Sequence, residues 1–153
     1  MNYFKYSKKE TEHLKKREPI LGAEIDRIGM IKRGVEPDIF TSLISSIISQ
    51  QISTKAAITV KERLVQLIGS ITPENIEGVE LESIQQCGMS LRKAGYIKGI
   101  AKSAVNKTID FGNLHKLSDE EIIEELVKLK GVGVWTAEMM LIHSLQRPNI
   151  VSF

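Results

Sequence analysis

The chain has 153 residues, a formal net charge of +2 and a single cysteine, Cys87. That length suits one domain able to bury most of the surface its unfolded form exposes, and the lone cysteine excludes both a disulfide framework and a zinc or iron–sulfur site built from this chain's cysteines. The charge is too mild to announce a nucleic-acid partner by itself, so any electrostatic footprint has to be local.

The N-terminal stretch "MNYFKYSKKETEHLKKREP" is mixed in charge and lacks the apolar core of a signal peptide. No later stretch approaches the ~20 apolar residues of a membrane span, and a cytoplasmic location with no membrane partner is expected. Pro37-Asp38 opens a segment in which Phe40, Leu43, Ile44, Ile47 and Ile48 recur at the spacing of one buried helix face. This is the predicted central core helix. Ser53 caps the next, whose stripe of Ala57, Val60, Leu64, Val65 and Leu67 runs to a stop at Gly69. Thr72-Pro73 starts a short helix, and Ser90 caps a longer one carrying Leu91, Ala94, Ile97, Ala101 and Ala104. Gly95 and Gly99 within that helix suggest close backbone packing. Ser118-Asp119-Glu120-Glu121 reads as a capping box ahead of Ile122, Ile123, Leu126 and Val127, and a last helix through Met139, Met140, Ile142 and Leu145 ends before Pro148. Strand signals are nearly absent. The predicted class is all-α, and no linker, repeat or low-complexity run marks a boundary.

Between the last two helices lies "LKGVGVWTAE", residues 129–138. Glycines permit a positive φ and clear side chains from the approach to the backbone. The first amides of the following helix are left unpaired at the positive end of its dipole, which together makes an anion site suited to a nucleic-acid phosphate. A plain helix corner with glycines as a C-cap has the same pattern, and an aromatic such as Trp135 at helical spacing is more often core than pocket.

Taken with "IISQQISTKAA" (residues 47–57) and "GMSLRKAGYIKGIA" (residues 88–101), the stretch resembles the helix-hairpin-helix superfamily of DNA base-excision glycosylases. Within that superfamily it is similar to the alkylation-repair branch, the 3-methyladenine DNA glycosylase II type. The resemblance implies a multi-helix fold ending in the hairpin at about residues 119–146, and duplex DNA containing alkylated bases as partner. Gly131 and Gly133 would offer main-chain amides to a phosphate, with Thr136 beside them. No cofactor is required, although family hairpins often hold a monovalent cation, potassium or sodium, through main-chain carbonyls that here belong to Val127, Leu129 and Val132. Gln51 takes the position of a wedge pushed into the duplex where the nucleotide flips out, with Gln50 next to it. Helix capping is the alternative role for both glutamines.

Trp135 stands where glycosylases with lyase activity carry a nucleophilic lysine. Tryptophan cannot form a Schiff base, so the resemblance implies monofunctional cleavage with Trp135 as a wall of the base pocket. The position of a second pocket aromatic in some relatives is Met139. Arg92, Lys93 and Lys98 are candidates for further cationic contacts, against the common case of a merely solvating lysine. His13, His115 and His143 have no partner at ligand spacing.

The family's catalytic aspartate is expected just beyond Phe153, so no catalytic residue is assigned within these residues. The family fold also continues into further helices that pack with an N-terminal segment, here residues 1–36, against the core of residues 37–153. Without them Phe4, Leu14, Ile20, Leu21, Ile25 and Ile28 lack cover. The expectation is therefore part of a longer protein, inactive alone, with the remaining segment as a partner in trans. The alternative function is a catalytically inactive DNA-binding fragment or a helical interaction module.

Overall fold

A computed structural model of the chain describes residues 2–151; Ser152 and Phe153, at the end of the segment expected to precede the aspartate, lie outside the described residues. Contacts divide the chain into two units, residues 1–35 and 36–153.

The first unit is a helical pair closed by a short pairing of strands. Strand β1 (Asn2–Tyr3) runs antiparallel to β2 (Gly34–Val35), with Asn2 opposite Val35 and Tyr3 opposite Gly34. Two-residue strands carry no alternating pattern, which is why the sequence does not signal them. Between them lie α1 (Lys8–Arg17), opened by a capping box of Ser7 and Glu10, and α2 (Pro19–Ile28), with proline in its first turn. The helices meet at Gly22, where an added Cβ would lie 3.1 Å from the Lys15 Cα. Apart from Gly22 no residue of either helix is buried. Leu14, Ile20, Leu21 and Ile28 are exposed, while Phe4 and Ile25 are half-buried.

The second unit is built around α3 (Ile39–Ser49), capped by the Asp38 carboxylate, which accepts from the Thr41 amide at 2.8 Å. Its Ile39, Phe40, Leu43, Ile44, Ile47 and Ile48 are all buried, the i, i+3, i+4 stripe of a core helix. Against α3 pack α4 (Thr54–Ile68), α7 (Leu91–Val105) and α9 (Val134–His143). Two short helices, α5 (Pro73–Glu77) and α6 (Leu81–Gln85), lie on α7. A 3₁₀ turn at Leu114–Lys116 leads into α8 (Asp119–Leu126), which pairs with α9. Phe40 and Phe111 meet edge to face, 5.5 Å between ring centres, and the Arg147 guanidinium donates to the carbonyls of His115 (2.8 Å) and Leu117 (3.1 Å), tying the chain after α9 to the entry of α8.

The capping serines behave as their sequence position predicts. Ser53 accepts from the Ala56 amide, Ser90 from Lys93, and Ser118 from Glu121 with the Glu121 side chain reaching back. Two packing expectations fail. Only Val60 and Leu64 of the α4 stripe are buried, while Val65 and Leu67 are exposed, because α4 meets the core along one narrow line. A Cβ built on Gly95 or Gly99 would meet nothing within 4 Å. Those glycines face open space, and no close backbone packing explains them. No helix among the described residues is long and apolar enough to cross a membrane.

Candidate functional site

Two turns carry the candidate site, and the first is the α8–α9 hairpin. Leu129 and Val132 are buried and fasten the turn to the core, and the Val132 amide donates to the Leu129 carbonyl at 3.1 Å. Gly131 has φ +88°, and a Cβ there would lie 2.3 Å from Cδ2 of Tyr96. Both the left-handed backbone and the ring beneath it demand glycine. Gly133 is a different case. Its φ of −95° suits any residue, and an added Cβ would meet nothing within 4 Å. It is the N-cap of α9 with no side-chain cap bond. The first main-chain bond of that helix runs from the Ala137 amide to the Gly133 carbonyl at 3.0 Å. The amides of Val134, Trp135 and Thr136 precede it, so they stand at the positive helix end beside open space, a geometry that favours an anion.

The side chains of that first turn divide. Trp135 is 60% exposed and Val134 55%, whereas Thr136 is only 6% exposed. The Thr136 side chain therefore packs inward, and its contribution at the surface is its amide. Met139 lies one turn beyond Trp135 on the same helix face and is half-buried. Of the three carbonyls implicated in cation binding, Val127's sits at the C-cap of α8, Leu129's has one lone pair engaged by the Val132 amide, and Val132's follows Gly131 directly. Hard oxygen donors of this kind fit an alkali cation. Among the described residues no three His, Cys, Asp or Glu side chains gather as a metal site.

The second turn joins α3 to α4. Gln51 is exposed and has φ +59°, a left-handed conformation that costs a non-glycine residue roughly 1–2 kcal/mol. The residue before it is held from two sides. The Gln50 side-chain amide donates to the Gly131 carbonyl at 3.2 Å, and the Gln50 carbonyl accepts from the Lys93 ammonium, which also donates to the Ile48 carbonyl at 2.9 Å. Gln50 is thus both the C-cap of α3 and a link to the hairpin. Next to this turn is a cavity of about 200 Å³, bordered by Gly88, Met89, Ser90 and Lys93.

Of the candidate cationic residues of α7, Arg92 is exposed at its start, while Lys93 and Lys98 have other work. Lys93 caps α3 from outside, and burial pulls its pKa below the ordinary lysine value. Lys98 donates to the carbonyls of Ile76 (3.3 Å), Glu77 (2.9 Å) and Val79 (3.0 Å) and pairs with the Glu77 carboxylate at 3.3 Å. Each lysine satisfies carbonyls orphaned at a helix end, so neither ammonium is left over for DNA. Sequence reasoning missed Tyr96 altogether. Its only signal is position: it lies three residues after Lys93, so α7 presents both to the same neighbourhood.

Residues 44–151 match the model of the HhH-GPD superfamily base excision DNA repair protein. The DNA-3-methyladenine glycosylase 1 of Schizosaccharomyces pombe is 36% identical over 116 residues, covering 73% of this chain and 51% of that protein. The DNA-3-methyladenine glycosylase of Saccharomyces cerevisiae is 38% identical over 123 residues, covering 74% and 42%. The chain spans about half the length of these curated relatives. Among solved structures, DNA-3-methyladenine glycosidase from Bacillus halodurans superposes with a TM-score of 0.80 at 34% identity, covering 99% of this chain and 71% of that one. An S. pombe 3-methyladenine DNA glycosylase in complex with abasic DNA superposes with a TM-score of 0.82 at 31% identity, covering 94% and 73%.

Proposed function

The chain belongs to the HhH-GPD superfamily of base excision DNA repair proteins, and we propose that it forms the DNA-gripping and base-reading part of a monofunctional glycosylase that removes alkylated purines such as 3-methyladenine. The observation that carries this reading is the first turn of α9. There, three amides preceding the first helical bond share a turn with an indole that is 60% exposed, so a phosphate grip and a flat, electron-rich wall lie side by side.

In this mechanism the Val134, Trp135 and Thr136 amides and the dipole of α9 take a backbone phosphate. The carbonyls of Val127, Leu129 and Val132 would hold a potassium or sodium ion, which supplies positive charge beside that phosphate. Gln51 enters the duplex at the vacated position and offsets part of the few kcal/mol that unstacking costs. An alkylated purine carries positive charge, and its seating over the Trp135 face gains roughly 0.5–2 kcal/mol. An unmodified purine lacks that gain. The residue at this position has no amine, so cleavage does not pass through a Schiff base. This reading assigns no carboxylate to support the developing sugar cation among these residues, and grip, wedge and wall are this chain's share.

The test is excision of 3-methyladenine from an alkylated duplex by the protein that carries this chain, wild type beside Trp135→Ala. Excision should fall in the variant while affinity for undamaged duplex stays close to wild type. Unchanged excision removes the pocket role, and a borohydride-trapped DNA adduct contradicts the monofunctional assignment.

A further inference from the structure

We propose that Gln50 is a positioning residue that locks the Gln51 turn to the hairpin, so that docking of the hairpin on a phosphate fixes where Gln51 enters the duplex. The inference rests on the wedge reading of Gln51 given above and adds a division of labour between adjacent glutamines. Gln50 reaches across 81 residues of sequence to donate to the Gly131 carbonyl at 3.2 Å, while its own carbonyl is held by the Lys93 ammonium. One residue is therefore pinned through its side chain to one turn and through its main chain to another helix.

The geometry on both sides is stiff. Gly131 is confined by the Tyr96 ring beneath it, and the Gly131–Val132 peptide is also held by the bond from the Val132 amide to the Leu129 carbonyl. Its carbonyl is thus a fixed anchor. Lys93 is itself anchored by the Ile48 carbonyl at 2.9 Å. Gln51 follows directly in a left-handed conformation with φ +59°, exposed. An exposed glutamine free to relax would leave that region of backbone space. It is kept there by the turn Ser49–Ile52, which the Ile52 amide closes onto the Ser49 carbonyl at 3.4 Å, and whose first central residue, Gln50, is held through both its side chain and its carbonyl. A functional side chain held to tight tolerance needs such a supporting contact on a rigid element.

The test uses a duplex with a tetrahydrofuran abasic site and 2-aminopurine as the orphaned opposite base, so that entry of residue 51 changes 2-aminopurine fluorescence. Readings are taken at saturating protein, where differences in affinity drop out. Gln50→Met, similar in length but without a donor, is expected to lose most of the wild-type fluorescence change. Gln51→Ala should lose it all, and the double variant should match Gln51→Ala. Should Gln50→Met fail to fold by circular dichroism, Gln50→Asn, one methylene too short to reach Gly131, replaces it with the same expectation. A wild-type fluorescence change in the folded Gln50 variant overturns the coupling alone. No difference between wild-type protein and Gln51→Ala overturns the wedge reading and the coupling with it.

Discussion

The two hairpin glycines should respond to alanine in opposite ways. Gly131→Ala forces a Cβ to within 2.3 Å of the Tyr96 ring in a backbone at φ +88°. The left-handed conformation costs about 1–2 kcal/mol and the overpacking about 1–3 kcal/mol. A summed loss of about 2–5 kcal/mol is a large fraction of the ~5–15 kcal/mol by which domains are stable. At about 4 °C per kcal/mol for a unit of this size, the melting temperature falls by roughly 8–20 °C. Gly133→Ala meets neither obstacle and loses at most about 1 kcal/mol as a poorer N-cap. Its methyl group stands instead where a phosphate would approach, and losing one charge-assisted hydrogen bond, about 1.5 kcal/mol, weakens duplex binding roughly tenfold. Thermal melts followed by circular dichroism and duplex titrations by fluorescence anisotropy separate the two effects. In a Tyr96→Ala background, Gly131→Ala should cost only the left-handed contribution. If Gly131→Ala melts within about 2 °C of wild type, or if Gly133→Ala is the more destabilised variant, the reasoning from local geometry is refuted.

Trp135→Ala removes an exposed ring and should shift the melting temperature by no more than a few degrees while lowering alkylated-base excision about 2- to 30-fold, as loss of a contact of about 0.5–2 kcal/mol requires; a large stability loss would make Trp135 a core residue. Lys98→Met leaves the Glu77 and Val79 carbonyls without this donor, while the Ile76 carbonyl still accepts from the Val79 amide, and should cost about 2 kcal/mol, as for hydrogen bonds to a charged group. Duplex affinity should fall with salt, and Lys93→Met or Lys98→Met should leave that slope unchanged, whereas losing a phosphate-bound lysine lowers it by about 1. Burial pushes the Cys87 thiol pKa up, against the weaker opposing charge of Arg63. The neutral thiol is therefore favoured in the fold, its contribution is complete below the unfolded thiol's pKa, and it is lost as pH rises from there through the folded value. Urea melts of wild type and Cys87→Ala at rising alkaline pH should converge, and parallel curves would contradict the shift.

Much of the helical frame is legible in the sequence because local chemistry decides it. Asp38, Ser53, Thr72, Ser90 and Ser118 each accept from an amide two or three residues into a helix, a contact within reach of the sequence alone. Helix α6 has no side-chain cap bond at Glu80 and so sends no such signal. Lys93 and Lys98 read as surface cations, yet their partners lie 19–45 residues away. Nothing in the local pattern announces a carbonyl cluster delivered by another helix. The Gly131–Tyr96 contact is hidden for the same reason. "GVG" shows two glycines and cannot tell the one required by packing from the one beside open space. The matching family model covers residues 44–151, which includes both turns.

Three departures from ordinary rules meet at the proposed site, although each kind also occurs elsewhere: Lys107, Gln146 and Asn149 are left-handed, α2 and α6 lack a side-chain cap, and Ile20 is exposed. An indole is exposed although burial would be favourable, and a glutamine fills the left-handed third position of the Ser49–Ile52 turn, where glycine is the usual residue. Three helix amides stand without a cap although serine caps other helices in the chain. Any one of these has a bland explanation. Their joint occurrence does not, because Trp135 shares its helical turn with the amides and Gln51 is joined to the same hairpin through Gln50 and Gly131. Local rules tend to fail together where a partner supplies the missing interaction. A single ligand that brings a phosphate to the amides, a base to the indole and a gap for the glutamine answers all three exceptions, and a duplex with one flipped nucleotide has those three parts.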